Sequence, residues 1–150
     1  MKGTRNVLIT LLIVLAGIQF IPANLNQEAS MRSTDFIRTF DPPANVALIL
    51  KNSCYDCHSN TTRYPWYNSI QPVKWFLERH IAQGKSQLNF SEFGALSQRK
   101  QRNKLESIVN QIDQNEMPLQ SYTWMHSDAI ISSEEKKVIT DYLNSLQRNL

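Results

Sequence analysis

Five consecutive residues, Cys54-Tyr55-Asp56-Cys57-His58, carry the side chains of this chain that are best suited to chemistry. They read C-x-x-C-H, the pattern that attaches a c-type haem. In such a site the two thiols add to the vinyl groups of the porphyrin as thioethers, and the imidazole binds the iron as proximal ligand. The imidazole must be neutral to donate its lone pair. The motif therefore predicts covalent haem attachment at Cys54 and Cys57, with His58 on the iron.

Two other chemistries also use a C-x-x-C pair. A thioredoxin-like redox pair is expected within a strand-helix-strand unit, and the sequence has no such pattern. A zinc site needs a second pair of ligands at short spacing, but the other histidines, His80 and His126, lie far apart and belong to no paired motif. The motif therefore favours haem attachment over both.

Length and composition limit the classes of protein that the chain can represent. Its 150 residues are enough for one domain, and both of its cysteines lie in the motif, so no structural disulfide is expected. The net charge of +3 is small and scattered. The basic run at residues 99–104 is interpreted as the solvated start of a helix, so no nucleic-acid partner is expected.

The first 21 residues have the composition of a targeting segment. Lys2 and Arg5 are positive, and Val7 to Ile21 is an almost unbroken apolar run. That run is long for a signal peptide and short for a membrane span, and no A-x-A cleavage site follows it. Residues 1–21 are therefore predicted to be a retained signal anchor, with a cleaved signal peptide as the alternative. In either case the remainder is exported to the bacterial periplasm, where thioether attachment takes place.

The exported part is predicted to be all-α. Residues 22–40 are polar and lack a sustained period, which predicts a tether ahead of a haem-binding domain at residues 41–150. Apolar spacing and capping signals predict four helices: one after Pro43 that leads into the motif, one between Pro72 and Gly84, one from about Ser97 to Asp113, and one that begins with a capping box at Ser132. The expected fold is a small cytochrome c-like domain of about four helices wrapped on a covalent haem, preceded by an N-terminal hydrophobic helix.

An iron bound by His58 has a sixth coordination position, for which two residues are candidates. Met117 precedes a proline in a loop between two predicted helices, and a thioether ligand raises the reduction potential and suits electron transfer. His80 lies on the apolar stripe of its helix and is the alternative distal ligand. Met125 and His126 rank below both because nothing in their sequence context favours ligation.

The surroundings of the haem are also predicted from residue types. A set of aromatic residues has the bulk to enclose a porphyrin, although ordinary core packing would use the same residues: Tyr64, Trp66, Tyr67, Trp75, Phe76, Tyr122 and Trp124. The second ring nitrogen of His58 needs a hydrogen-bond acceptor. In c-type haem domains a proline carbonyl often fills this role. Pro65 and Pro72 are the two candidates here, and the sequence does not choose between them.

Several stretches together resemble one protein family, and they span about residues 40–148: Cys54-Tyr55-Asp56-Cys57-His58-Ser59-Asn60, Arg63-Tyr64-Pro65-Trp66-Tyr67, Leu88-Asn89-Phe90-Ser91-Glu92-Phe93, Met117-Pro118, Tyr122 and His126-Ser127-Asp128-Ala129. They resemble the haem-binding domain of bacterial envelope proteins. The family often has prolines where Leu119 and Ser127 stand, and a histidine near the place of His80. The resemblance implies a c-type haem protein of the envelope, without implying a reaction.

These observations predict a mono-haem c-type cytochrome-like protein that transfers single electrons in the cell envelope. An electron carrier is expected rather than a catalyst, with no catalytic residues. The expected partners are a redox protein of the envelope and, through the N-terminal segment, the cytoplasmic membrane. The alternative is a haem-based accessory, sensor or peroxide-handling domain whose sixth iron ligand exchanges.

Overall fold

The computed structural model describes residues 2–150, and these residues form eight α-helices and no β-strand. The α-helices are α1 (Lys2–Ile18), α2 (Phe36–Phe40), α3 (Ala44–Ser53), α4 (Tyr55–His58), α5 (Val73–Gln87), α6 (Gln98–Asp113), α7 (Gln120–Thr123) and α8 (Ser133–Asn149). Three 3-10 helices lie between them, at Trp66–Ser69, Phe90–Ala95 and Ser127–Ala129. The predicted all-α class is confirmed.

The helix count is larger than the prediction of about four. The four predicted helices correspond to α3, α5, α6 and α8, while α2, α4 and α7 have only four or five residues each. A helical period of 3.6 residues needs about 11 residues to become visible in a sequence. The short helices therefore leave no periodic signal, and two of them lie next to the predicted iron ligands.

The core lies where α8 packs against both α6 and α3. Each long helix turns one apolar stripe inward, as its i, i+3, i+4 spacing requires. The stripes of α6 and α8 meet a cluster of phenylalanine rings from α2 and the second 3-10 helix. The large side chains of this core that are fully buried are Phe36, Leu50, Phe90, Phe93, Leu105, Ile139 and Leu143. This core supports the segment that carries the C-x-x-C-H motif.

Polar groups determine where α6 ends and α8 begins. The Ser132 hydroxyl accepts a hydrogen bond from the Glu135 amide, and the Glu135 carboxylate accepts one from the Ser132 amide, so the predicted capping box is confirmed. After α6, Asn115 adopts a left-handed backbone conformation with φ 56°, which asparagine tolerates better than most residues. This turn directs the chain out of α6 and into the loop that carries Met117.

Part of the predicted tether packs into the domain. Asp35 is buried and caps α2, because its carboxylate accepts a hydrogen bond from the Ile37 amide. Phe36 is fully buried and makes edge-to-face contacts with Phe90 and Phe93. Residues 35–40 thus belong to the folded domain, although their apolar residues are too few to produce a visible period.

The apolar N-terminal segment forms α1, whose side chains are exposed up to Gly17. Residues 2–150 contain no helix that is both long and apolar enough to cross a membrane. The end of α1 is attached to the domain. The Gln71 amide donates to the Gln19 side chain at 2.9 Å, and the Gln19 side chain donates to the Gln71 carbonyl at 3.3 Å.

Candidate functional site

The C-x-x-C-H motif forms a single helical turn at the end of α3. The amides of Cys57 and His58 both donate to the Cys54 carbonyl, at 3.3 and 3.0 Å. Cys54 therefore begins the turn that forms α4, and the two thiols and the imidazole leave the chain within one turn of each other. This compact arrangement is what attachment to a single planar group requires.

The His58 ring is oriented by backbone carbonyl groups of α5 and its C-terminal cap. Its Nδ1 lies 3.0 Å from the Gly84 oxygen and 3.2 Å from the Leu88 oxygen. Because a carbonyl group only accepts, Nδ1 carries the proton and Nε2 keeps its lone pair. Burial lowers the pKa of His58, which favours the neutral ring that a metal ligand requires. The structure thus provides the tautomer expected of a proximal ligand.

The prediction that the carbonyl of Pro65 or Pro72 accepts the hydrogen bond from His58 was wrong. The acceptors are Gly84 in the last turn of α5 and Leu88 at its C-terminal cap. The last carbonyl groups of a helix lack a hydrogen-bond donor within the helix, so they can accept a hydrogen bond from a side chain. The prolines were predicted because a proline carbonyl often accepts this hydrogen bond in c-type haem domains, but here the packing of α5 on α4 decides the contact.

Gly84 allows α5 to approach the motif closely. A Cβ at this position would lie 2.7 Å from the backbone oxygen of Cys57, closer than such atoms are found. Gly84 was predicted to follow the end of its helix, but α5 continues to Gln87. The glycine is needed here for the close contact between α5 and α4 rather than for ending the helix.

Replacing Gly84 by alanine is expected to destabilise the protein. Alanine is favoured over glycine within a helix by about 1 kcal/mol, but overpacking against a neighbouring group costs about 1–3 kcal/mol. Because the neighbour is backbone, we expect a net loss on the order of 1 kcal/mol in the free energy of unfolding, measured by denaturant titration. The matched control is Gly17→Ala, whose Cβ would meet nothing within 4 Å. Unchanged stability of Gly84→Ala would contradict the role of this contact.

The two residues between the cysteines are buried and hydrogen-bonded. The Tyr55 ring stacks on Phe90 with 5.1 Å between the ring centroids, and its hydroxyl donates to Asp35 at 3.0 Å. The Asp56 carboxylate accepts hydrogen bonds from Arg63 and from the Tyr122 hydroxyl. The C-x-x-C-H pattern leaves these two positions open and so predicts no role for Tyr55 or Asp56.

Two adjoining cavities meet beside His58, and together they are called the cleft. The first has a volume of about 290 Å³ and is lined by Cys54, and the second has a volume of about 310 Å³ and is lined by Cys57. His58 and Met117 line both. The cleft is thus a concave space in which each predicted thioether faces its own cavity, beside the predicted proximal ligand.

The apolar residues in the walls of the first cavity are mostly aliphatic rather than aromatic. They include Leu88, Ile108, Ile112 and Ile131, with Phe90 as the aromatic member. Of the aromatic residues predicted to enclose a porphyrin, Tyr122 lines the second cavity, whereas Trp66 and Trp124 are each 77% exposed. Of the predicted aromatic set, Tyr122 is the member that lines the cleft. Residue bulk does not reveal which face a side chain turns inward.

The candidates for the sixth iron ligand differ in their positions. Met117 is half-buried and lines both cavities, whereas His80 lines the second cavity only. The His80 ring packs on Phe76 at a centroid distance of 4.3 Å. His126 stacks on the Tyr122 ring but lines neither cavity itself, and Met125 is 62% exposed. The structure therefore brings Met117 and His80 to the cleft and leaves the two lower-ranked candidates outside it.

The pKa values of the two cysteine thiols distinguish this site from a redox-active cysteine pair. Burial raises the pKa of the Cys54 thiol to about 12 and that of the Cys57 thiol to about 11. Redox-active C-x-x-C pairs have lowered thiol pKa values, so the arrangement differs from theirs. Within residues 2–150, no three or more His, Cys, Asp or Glu side chains are grouped closely enough to hold a metal ion.

The residues of the cleft fit a haem. The cleft is apolar, as cofactor sites mostly are, and offers two unpaired cysteines and an imidazole with a free ring nitrogen. These are the features that a haem-binding domain requires. In agreement, the family model of the haem-binding domain matches residues 13–145, and the chain belongs to that family. A comparison with curated proteins found no match, and neither did a comparison with solved structures.

Proposed function

We propose that this protein is a mono-haem c-type cytochrome that transfers single electrons in the cell envelope. The observation that carries the proposal is the shared cleft, in which Cys54 and Cys57 line separate cavities while His58 and Met117 line both. A haem in such a site supplies an iron that changes by one electron between its ferric and ferrous states. The residues of the chain provide attachment, orientation and exclusion of water.

In the proposed function the cysteines attach the cofactor covalently. Each thiol adds across a vinyl group, so that sulfur bonds to one vinyl carbon and the thiol hydrogen is transferred to the other. The addition is neither an oxidation nor a reduction. His58 holds its proton on Nδ1, toward Gly84 and Leu88, which leaves Nε2 for the iron.

The position of α5 supports Met117 rather than His80 as the distal ligand. The Gly84 carbonyl contacts Nδ1 of His58, the ring nitrogen that would not bind the iron, so α5 supports the proximal ligand. His80 is one turn before Gly84 on the same helix. Met117 lies on the loop between α6 and α7, an element separate from the helix that supports His58, and would hold the iron as its sixth ligand.

We also propose that the protein is periplasmic and held at the cytoplasmic membrane by its N-terminal segment. The support is the positive start of the chain, at Lys2 and Arg5, followed by the apolar run that ends at Ile21. Its partner in this proposal is a redox protein of the envelope. Nucleic acid is not proposed as a partner because the small net charge of +3 is scattered.

The proposal is tested on the full chain, produced in a bacterium that attaches haem in its periplasm. We expect haem staining in the membrane fraction at the mass of the chain on a denaturing gel. The purified protein should have low-spin ferric iron and a one-electron redox titration, and its reduced form should bind carbon monoxide poorly. High-spin iron that binds carbon monoxide readily would favour the sensor or peroxide-handling alternative. A soluble chain that begins near residues 23–30 would show that the N-terminal segment is cleaved.

A further inference from the structure

The second variable residue of the motif, Asp56, links the motif to the loop that carries Met117. Its carboxylate is buried, with the residue 6% exposed. On one side it accepts hydrogen bonds from the Arg63 amide at 3.0 Å and from the Arg63 side chain at 3.1 and 3.2 Å. On the other side it accepts a hydrogen bond of 2.7 Å from the Tyr122 hydroxyl. The carboxylate thus has an ion-pair partner and a neutral donor.

Tyr122 belongs to α7, which begins three residues after Met117. Among the hydrogen bonds of residues 2–150, the bond to Asp56 is the one that joins residues 117–131 to the segment 54–63. Farther along the chain, the 3-10 helix Ser127–Ala129 packs on α3. The loop is therefore anchored at its start by the Met117 amide, which donates to the Gln111 carbonyl of α6, and at its far end by packing. Between these two points the hydrogen bond from Tyr122 attaches it to the motif.

We propose that the hydrogen bond between Tyr122 and Asp56 is a positioning device that holds Met117 within reach of the iron. The inference rests on the proposed function, in which Met117 is the distal ligand. Neither Tyr122 nor Asp56 binds the iron. The bond attaches the loop that carries Met117 to α4, the helical turn that contains both Asp56 and His58. The positions of His58 and Met117 are therefore both set by α4.

The chemistry of the pair suits this role. A hydrogen bond from a hydroxyl to a carboxylate is shorter and stronger than one between neutral groups, and 2.7 Å lies within the range of such bonds. Arg63 compensates the carboxylate, so Asp56 remains paired whether or not Tyr122 donates to it. Loss of the Tyr122 hydroxyl therefore loosens the loop without leaving an isolated buried charge.

The test uses Tyr122→Phe in the full chain with haem attached. Imidazole is titrated into the ferric protein, and its binding is followed by loss of the weak far-red band that arises from sulfur-to-iron charge transfer. Because imidazole competes with Met117, loosening the loop should tighten its apparent binding by about 10- to 100-fold, the range expected for loss of a hydrogen bond to a charged group. The matched control is Tyr142→Phe, whose hydroxyl donates to the Phe40 carbonyl away from the cleft. That control should bind imidazole like the wild type.

A second variant keeps the test valid if Tyr122→Phe unfolds. Asp56→Asn keeps an oxygen that can accept from Tyr122, and it should give an intermediate affinity for imidazole. The double variant should bind no tighter than Tyr122→Phe alone, because both changes act on one bond. Wild-type imidazole affinity in either folded single variant, with the far-red band present, would overturn the positioning role alone. Absence of the band in the wild type would overturn both this inference and the proposed distal ligand.

Discussion

Replacing both Cys54 and Cys57 by alanine is expected to abolish haem staining of the polypeptide on a denaturing gel. A thioether survives denaturation, whereas haem bound only by His58 dissociates when the chain unfolds. Each cysteine lines its own cavity beside His58, so each thiol is expected to form one of the two bonds. The double variant removes both bonds while the hydrogen bonds that orient His58 remain.

The single variants are the controls for this prediction. Cys54→Ala and Cys57→Ala each retain one thiol, so each should keep part of the stained band. On a native gel the double variant should still bind haem through His58, which separates loss of the covalent bonds from loss of the fold. Haem that still migrates with the denatured double variant would contradict covalent attachment at this motif.

Replacing Met117 by leucine is expected to lower the reduction potential by roughly 0.1–0.3 V, a fraction of the range of about 0.8 V over which axial ligands tune haem. A thioether stabilises the ferrous state, and its removal leaves the ferric state relatively more stable. Leucine has a similar volume and is apolar, so packing at the cleft should change little. The ferric iron should become high-spin or recruit another ligand, and the far-red band should disappear. Redox potentiometry and absorption spectra measure these changes.

Two further variants distinguish Met117 from His80 as the sixth ligand of the iron. Met125→Leu is the matched control, because Met125 is 62% exposed and does not line the cleft, and it should keep the wild-type spectrum. His80→Ala should keep a low-spin iron if Met117 is the ligand. If His80→Ala becomes high-spin while Met117→Leu does not, the distal ligand is His80. The protein would then be a bis-histidine cytochrome of lower potential.

The helical elements could be predicted where the sequence repeats a local signal over many residues. The inward stripe of α6 and the capping box of α8 are both visible in the sequence, and both occur in the structure. The four- and five-residue helices could not be predicted in this way. One of them, α4, is the turn that carries the motif, and its presence depends on the support of α3 and α5 rather than on a pattern of its own.

The surroundings of the site were harder to predict than its central residues. Leu88 and Gly84 orient His58 through their backbone carbonyls, and a carbonyl group leaves no trace in residue type. The inward stripe of α6 was interpreted as core, but Ile108 and Ile112 also form a wall of the cleft. An apolar side chain that faces a cofactor and one that faces a neighbouring helix satisfy the same spacing rule.

By itself, the sequence determined the features that depend on neighbouring residues: the C-x-x-C-H spacing, the all-α class and the resemblance to the haem-binding domain family. These features depend on covalent spacing and helical period, which are local properties of the chain. Only the tertiary structure decided which distant residues meet at His58. The carbonyl of Gly84, 26 residues away, and the hydroxyl of Tyr122, 66 residues from Asp56, reach the motif because α5 and α7 pack beside it. Such contacts depend on how the helices pack, and the packing is determined by the whole core together.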